Sequence, residues 1–378
     1  MKPRILPLVV ACASIFATGT PIAHAQTYAV TDLGLLSPAA ISIEGQVVGN
    51  YENQAYIWTR TEGMRPLGTL PGGTTSTAAA INDVGEVAGT ADGLGTVISP
   101  YEGLPNLNCT DLTQPFIWTQ KNGMQGLGTV GFYNGNYDIW CEIPFYASGI
   151  NNLGEVVGYS GSSATYEAGF SWTQAAAYTV LADAYPPTFV NGVTQAGEAA
   201  GQIGDSANLG TAAYWINGSP TYLGTLGGAG AVDYASSANG ANDLGQVVGW
   251  STTTGDALRG GSPVHAVLWT STGVISDLGT LAADQSSAAS AISFFGLVIG
   301  TSGSGLYQGQ YEPPPFEVTG HPFIWSKRSG MLELNTLLPS NSGWVLTSVA
   351  GINFWGQIVG SGTLNGQPRG FLLTPKNF

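Results

Sequence analysis

Short apolar runs, separated by glycine, asparagine and other turn residues, recur along the chain. One pattern, Ala-x-x-Ile-Asn-x-x-Gly-x-Val-Val-Gly, occurs in seven variants. Its two apolar halves have the length of strands, and the Ile-Asn-x-x-Gly step is typical of a three-residue hairpin whose last glycine is left-handed. The seven copies end at Gly49, Gly89, Gly158, Gly201, Gly249, Gly300 and Gly360. Each copy predicts two antiparallel strands.

Two further apolar runs follow each hairpin. The first ends in Trp in six units, at Trp58, Trp118, Trp172, Trp215, Trp269 and Trp325, and the seventh has Leu373 there. The second is Leu-Gly-Thr-Leu, as at Leu67 to Leu70, and it degenerates after Trp172. A Thr-x-x-x-Gly-Met step, as at Thr59 to Met64, predicts a tight turn between them. Four short strands in a unit of roughly fifty residues match a propeller blade.

The two ends of the chain complement each other. The segment from Thr31 to Leu36 has the pattern of a fourth strand, and the chain stops after a third strand from Gly370 to Thr374. Pairing the two would complete the last unit and remove the exposed sheet edge of an open array. The sequence therefore predicts an all-β fold, a seven-bladed β-propeller of four-stranded antiparallel blades closed by its N-terminal strand and C-terminal blade. An open solenoid, which favours shorter repeats and atypical capping units, is the alternative.

A triplet ahead of the Trp-containing strand gives a family resemblance. His265-Ala266-Val267 and His321-Pro322-Phe323 keep part of a His-Ala-Phe triplet. The other five units begin this strand with Gln54, Gln114, Ala168, Thr211 and Arg369. On these residues the chain resembles the bacterial extracellular HAF-repeat family over nearly all of residues 26–378. The resemblance implies an exported repeat protein, and it supplies no catalytic residues.

The N-terminal segment has the pattern of an export signal. Lys2 and Arg4, an apolar run from Ile5 to Phe16 and an Ala-His-Ala site predict a secretory signal peptide at residues 1–25, cleaved after Ala25. A membrane anchor is one alternative, but the apolar run is shorter than the ~20 residues that span a bilayer. A lipoprotein signal at Cys12 is another, and it leaves a cramped n-region and h-region. Residues 26–378 are then expected to form a single seven-repeat domain, secreted, extracellular or periplasmic, without a membrane span.

Composition and charge narrow the classes of partner. The chain carries 24 acidic and 10 basic residues, a formal net charge of −14, so nucleic acid and anionic membrane surfaces are unlikely partners. Charged residues make up only 9% of the chain, while its 55 glycines suit an all-β protein rich in tight turns.

Titratable residues give no catalytic signature. His265 and His321 each stand four residues before the Trp of their unit, and no carboxylate or cysteine stands at ligand spacing beside either, so we expect no metal site and no cofactor. The acids of the hairpin step, Asp83, Glu86, Glu155, Glu198 and Asp243, occupy equivalent positions of the repeat. The insertions hold further acids at Asp92, Glu102, Asp138, Glu142, Glu312 and Glu317. A pair of these could carry acid–base chemistry on a glycoside, but the sequence selects no pair.

Long insertions fall on one face of the predicted propeller. They occupy the loop between strands two and three or the crossover to the next unit, which open on the same side: Ala91 to Gln114, Gly131 to Ser148, Ser251 to Pro263 and Ser302 to Gly320. Exposed Tyr and Trp beside acids can form a platform for sugars or proteins. The candidate binding residues are Tyr101, Tyr133, Tyr137, Asp138, Trp140, Glu142, Tyr307 and Tyr311. The alternative is that these aromatic residues only pack the loops onto the blades.

The sequence also predicts a disulfide and a class of function. Of the three cysteines, Cys109 and Cys141 remain after cleavage of the predicted signal peptide, and they lie in an insertion and in the crossover of one unit. This even count in an exported chain favours a disulfide between them. The sequence favours an exported, non-catalytic binding or interaction module for glycans or protein partners. A carbohydrate-active enzyme, glycosidase or lyase, using loop carboxylates is the first alternative, and a structural cell-surface repeat protein is the second.

Overall fold

The computed structural model describes residues 27–98, 107–110, 112–130, 143–161, 168–181, 188–204, 210–228, 234–255, 261–307 and 318–376. These residues form thirty-two strands and the short 3-10 helix Leu334–Leu337. None of their helices is long and apolar enough to cross a membrane. The residues of the predicted signal peptide lie outside the described ranges.

The strands follow the repeat. The first half of the chain contains β1 (Tyr28–Asp32), β2 (Ser37–Ile41), β3 (Val47–Tyr51), β4 (Gln54–Thr59), β5 (Gly63–Pro66), β6 (Ser76–Ile81), β7 (Val87–Ala91), β8 (Gly95–Ile98), β9 (Leu107–Cys109), β10 (Gln114–Thr119), β11 (Gly123–Gly126), β12 (Thr129–Val130), β13 (Phe145–Ile150), β14 (Val156–Ser160), β15 (Gly169–Thr173) and β16 (Ala177–Val180).

The remaining units comprise β17 (Thr188–Val193), β18 (Ala199–Gly204), β19 (Gly210–Ile216), β20 (Ser219–Tyr222), β21 (Ser236–Ala241), β22 (Val247–Thr252), β23 (Ser262–Trp269), β24 (Ile275–Gly279), β25 (Ser286–Ile292), β26 (Val298–Ser304), β27 (Leu306–Tyr307), β28 (Thr319–Ser326), β29 (Gly330–Glu333), β30 (Trp344–Ile352), β31 (Ile358–Leu364) and β32 (Gln367–Pro375).

The described strands make eight sheets, so the expected count of seven is wrong. Seven of the sheets contain the repeated antiparallel meander of four strands, which we number unit 1 to unit 7 from β2–β5 onward. The eighth, here called the small sheet, is formed by β8, β9 and β12. It arises because the insertion after β7 and the segment after β11 pair with each other, and insertions of that kind lie outside the repeat pattern.

The first strands of the units surround a common axis. In ring order β2, β6, β13, β17, β21, β25 and β30 each contact the next, and β30 contacts β2. The hydrophobic core lies between neighbouring sheets, as where Val87 and Phe116 of unit 2 pack with Val48 and Ile57 of unit 1. The expected β-propeller of four-stranded antiparallel blades is therefore the observed architecture.

The N-terminal strand joins the last unit, as expected, but it begins earlier in the chain. β1 pairs antiparallel with β32, from Tyr28 opposite Pro375 to Asp32 opposite Phe371. The predicted strand from Thr31 to Leu36 is wrong beyond Asp32, because Gly34 has a φ of 70° and its N–H donates to the Asp32 carboxylate. The chain turns there, and Leu33 and Leu36 are buried against the first unit.

The predicted three-residue hairpin is present in every unit. In unit 2 the Gly85 N–H donates to the Asn82 carbonyl at 3.2 Å, and the Asn82 N–H donates to the Glu86 carbonyl at 3.0 Å. Gly85 has a φ of 84°, a conformation that glycine adopts without a steric penalty. The equivalent glycines also have positive φ: Gly45, Gly154, Gly197, Gly245, Gly296 and Gly356.

The glycine that ends the Val-Val-Gly motif is required by close packing. A Cβ at Gly89 would overlap the Thr77 carbonyl oxygen of the first strand and would lie 2.7 Å from the Phe116 ring. The equivalent Gly360 meets the Ser348 carbonyl and the Phe371 ring in the same way. This glycine lets the third-strand aromatic side chain cross beneath the second strand.

A second regularity, which the sequence pattern does not predict, is a β-bulge in each first strand. In unit 2 the register shifts between Ala78 and Ala80, and the other six units shift at the equivalent position. The extra residue is placed towards the neighbouring unit in several cases. Asn191, for example, donates from its side chain to the Ala238 carbonyl at 2.8 Å.

Asparagines of the hairpins connect successive units. The Asn82 side chain donates to the Asn151 carbonyl of the next unit at 2.9 Å. Asn353 of the last unit donates in the same way to the Ser42 carbonyl of the first at 3.0 Å, and its Oδ1 accepts the N–H groups of Trp355 and Gln357. These side chains are buried, so each hydrogen bond is formed away from competing water.

We expect Asn353→Ala to lower the free energy of unfolding by about 2 to 3 kcal/mol, because it removes the buried hydrogen bond to the Ser42 carbonyl and leaves the N–H groups of Trp355 and Gln357 without acceptors. Urea unfolding followed by tryptophan fluorescence measures the change, with Asn122→Ala as the control, since Asn122 is an exposed turn residue. Equal stability of the Asn353 variant and the control would show that this hydrogen bond does not hold the ring.

Candidate functional site

Most residues of the predicted binding platform lie outside the described residues. These are Tyr101, Tyr133, Tyr137, Asp138, Trp140, Glu142 and Tyr311, together with the insertion acids Glu102, Glu312 and Glu317. The predicted platform on the insertion face therefore stays a prediction. Tyr307 is described through its backbone, which lies in β27.

The described parts of the insertions pair with one another. β27, from the insertion of unit 6, pairs antiparallel with the start of β23 in unit 5, with Tyr307 opposite Ser262. In unit 2, β8 of the insertion pairs parallel with β12 of the crossover. The long connections that the sequence assigns to one face are thus joined to each other by backbone hydrogen bonds.

Asp92 is the one insertion acid within the described residues, and its carboxylate fixes the segment at Thr74 and Thr75 by hydrogen bonds. Its Oδ1 accepts the N–H and the hydroxyl of Thr75 at 2.6 and 2.8 Å, and its Oδ2 accepts the Thr74 hydroxyl at 3.1 Å. Burial opposes ionisation, but the hydrogen bonds from Thr75 and Thr74 prevail and lower the pKa of Asp92 to about 2. Its contribution to stability is therefore present above the ordinary carboxyl pKa of 3.8 and is lost as the pH falls towards 2.

The histidines have acidic partners, contrary to the expectation from spacing. His265 Nδ1 lies 2.9 Å from Asp277 Oδ2, and His321 Nδ1 lies 3.5 Å from Asp284 Oδ2. Asp277 is on β24, across the sheet from His265, so the pairing depends on strand register. Among the described residues no three His, Cys, Asp or Glu side chains form a group that could hold a metal ion.

We expect His265→Gln combined with His321→Gln to change the free energy of unfolding by less than about 1 kcal/mol, because both pairs are at the surface. Gln occupies the same repeat position at Gln114, where it accepts the Gly128 N–H and donates to the Leu94 carbonyl. Thermal unfolding and zinc titration calorimetry would measure the effect. Stoichiometric zinc binding that the double variant abolishes would instead identify a metal site.

A different site is formed on the opposite face, at the axis, by the turn residues of the tight hairpins. We call it the axial mouth. Each hairpin contributes a first, a second and a third turn residue. The second turn residues, from unit 1 to unit 7, are Ile43, Asp83, Asn152, Gln195, Asp243, Phe294 and Phe354. Six of them line an open cavity of about 210 Å³ on the axis, the exception being Asn152.

Polar second turn residues form an arc from unit 2 to unit 5. The N–H of each hairpin donates to the side chain of the next unit: Ile43 to Asp83 at 3.0 Å, Asp83 to Asn152 at 2.7 Å, Asn152 to Gln195 at 2.7 Å and Gln195 to Asp243 at 2.8 Å. We call this series the amide belt. It fixes the orientation of two carboxylates at the cavity without any cation among the lining residues.

The rest of the circle, from unit 6 through unit 7 to unit 1, is apolar. Phe294 and Phe354 have ring centroids 5.5 Å apart, and Phe354 also packs on Phe295 at 4.8 Å and on Trp355 at 5.0 Å. Phe295 is 63% exposed and Trp355 50% exposed. Large aromatic side chains left so accessible in a group are typical of a contact surface.

The third turn residues extend this apolar character around the rim. Val84, Leu153 and Leu244 are exposed, Leu153 to 81%. Turn positions open to water usually carry polar residues, so exposed aliphatic side chains here are not explained by the hairpin itself.

The axial mouth was missed from the sequence because its residues occupy positions that the hairpin already explains. Asp83 and Asp243 occupy repeat positions of the hairpin and serve the amide belt. Glu86, Glu155 and Glu198 also occupy repeat positions, and they accept hydrogen bonds from Asn82, Asn151 and Tyr214. The signal that could have found the site is the aromatic second turn residue at Phe294 and at Phe354, a position where four of the other five hairpins have Asp, Asn or Gln.

Comparison with known proteins identifies the architecture only. No family model and no curated protein matches the chain. Among solved structures, an oligogalacturonate lyase in complex with manganese has a TM-score of 0.52 at 11% identity, covering 93% of this chain and 94% of that chain. The chain is a β-propeller. Since the identity is so low, this likeness of the propeller carries over the fold and no activity.

Two further structures have lower scores. A puromycin hydrolase complexed with PGG gives a TM-score of 0.48 at 10% identity, covering 83% of the propeller chain and 47% of that chain. A gluconolactonase from Xanthomonas campestris gives 0.41 at 7% identity, covering 92% and 90%.

Proposed function

We propose that this β-propeller is a non-catalytic binding module and that the axial mouth is its ligand site. The observation that carries the proposal is the meeting of a polar arc and an aromatic arc in one cavity on the axis. Concave sites that combine an apolar wall with a few fixed polar groups are the usual form of a ligand pocket. The scaffold around it is rigid, because each lining residue stands on a hairpin tied to its neighbours.

The engagement of the carboxylates supports binding over catalysis. Asp83 accepts hydrogen bonds on both oxygens, from the Ile43 N–H and the Asn152 side chain. Asp243 accepts the Gln195 N–H. Both carboxylates are thereby held as fixed acceptors of the amide belt, which is a binding role and not a proton-transfer role.

The first test is a ligand screen by saturation-transfer NMR with methyl glycosides, ammonium compounds, amino acids and aliphatic acids. We expect at least one class to bind the wild type and the control variant Tyr222→Ala, an exposed aromatic residue on β20, and to lose binding in Phe354→Ala. The same samples, measured again after a day, should contain no new products. Product signals would identify an enzyme, and equal binding to both variants, or none at all, would place the function elsewhere.

We further propose that the chain belongs to the HAF-repeat family and that it is exported after cleavage at Ala25. The support for export is the N-terminal pattern. The insertion face would then be a second surface for protein or glycan partners.

We also propose a disulfide between Cys109 and Cys141. Cys109 is buried in β9, and the small sheet joins the insertion to the crossover that leads towards Cys141. Cys141 itself lies outside the described residues. The bond would tie together two insertions of the same face.

Non-reducing peptide mapping of periplasmically produced protein should find the Cys109 to Cys141 pair. The chain-entropy model gives about 3 to 4 kcal/mol for a loop of roughly thirty residues, so Cys141→Ser should loosen both insertions and leave the propeller folded. Limited proteolysis before and after reduction measures the loosening. Two thiols alkylated in the native protein would contradict the pairing.

A further inference from the structure

The amide belt ends at unit 5, because units 6 and 7 have Phe294 and Phe354 as second turn residues. Hydrogen-bonding groups at the cavity are therefore left without partners. In units 5, 6 and 7 the N–H of the second turn residue faces a neighbour that has no acceptor in its side chain, namely Phe294, Phe354 and Ile43. Within the described residues, the N–H groups of Asp243, Phe294 and Phe354 accordingly have no hydrogen-bond acceptor. All three residues line the cavity.

A free acceptor accompanies these donors. Oδ1 of Asp243 accepts the Gln195 N–H, whereas Oδ2 has no donor in the described part of the chain. The neighbouring Asp83 differs, since both of its oxygens are used. The cavity thus offers backbone donors and a carboxylate acceptor at the same edge, next to the rings of Phe294 and Phe354.

The size of the site limits what it can hold. A cavity of about 210 Å³ is smaller than the roughly 300 to 1,000 Å³ of pockets for drug-sized molecules, so it fits one small ring. The ring must present an apolar face to the phenylalanines and groups that both donate and accept hydrogen bonds at its edge.

Resting on the proposed function, we infer that the axial mouth binds one neutral pyranose ring, as a free sugar or as the end of a glycan. Hydroxyl groups donate to Asp243 Oδ2 and accept from the unpaired N–H groups, and the C–H face of the sugar packs on Phe354. An organic ammonium ion would suit the rings and the carboxylates. It would however place its positive charge against three N–H donors, which a sugar hydroxyl instead satisfies.

The test compares neutral methyl pyranosides with tetramethylammonium chloride, by calorimetry and saturation-transfer NMR. We expect a pyranoside to bind with an affinity that is unchanged between about 0.05 and about 0.5 M sodium chloride, because a neutral ligand is not screened by salt. Tetramethylammonium should not bind. Salt-sensitive binding of tetramethylammonium without any pyranoside binding would overturn the inference and leave the binding-module function standing.

Variants locate the binding. Phe354→Ala should weaken the pyranoside about tenfold through loss of the stacked ring, and Phe354→Tyr should retain it. Asp243→Asn should weaken it a few-fold, because its amide oxygen can still accept in the belt while the charged acceptor is lost. Tyr222→Ala and Glu62→Gln, exposed changes outside the axial mouth, are the controls. Pyranoside binding that survives Phe354→Ala, in protein of unchanged thermal stability, would show that the sugar does not bind at the axial mouth.

Discussion

Each unit of this propeller buries both faces of its sheet against neighbours, so the stability of every unit depends on the ring being closed. Besides the packing of β30 and β31 on β2, two specific contacts close it. β1 supplies the fourth strand of the last unit, and Asn353 donates across to the Ser42 carbonyl of the first unit, 311 residues away in the sequence. Without them the array would end in two open edges and an exposed sheet face. The closed ring also fixes the positions of the second turn residues of the axial mouth, because each of them directly follows the first turn residue of its hairpin, as Phe354 follows Asn353.

The repeat itself could be predicted because its residues have local steric reasons. The left-handed glycine of each hairpin and the crowded glycine after Val-Val are fixed by backbone geometry alone, and a single sequence displays both seven times. The closing strand was also predictable, since the two ends show complementary deficits. Its start was misplaced because Leu33 and Leu36 resemble strand residues, although the turn at Gly34 makes them core residues of the next unit.

What the sequence could not supply depends on contacts between units. The small sheet forms because two insertions meet in space, and neither contains a repeat motif. The pairing of His265 with Asp277 depends on the register of β23 and β24. The axial mouth is a circle of residues about fifty positions apart, each ordinary in its own hairpin. Only the ring order reveals that the polar ones form one continuous arc and the aromatic ones another.

The position of β1 has a consequence for folding. Its partner β32 is the last strand of the described chain, so the closing contact has the longest sequence separation that the fold permits. Contacts of this kind form late and slowly. Until then the open edge of the seventh unit and the uncovered face of the first remain available to other chains, which is the circumstance in which incomplete propellers aggregate. Only 9% of the residues of the chain are charged, so few charged side chains are available to keep other chains from pairing with these edges. The closed ring therefore forms only after an interval in which unpaired strand edges are exposed to other chains.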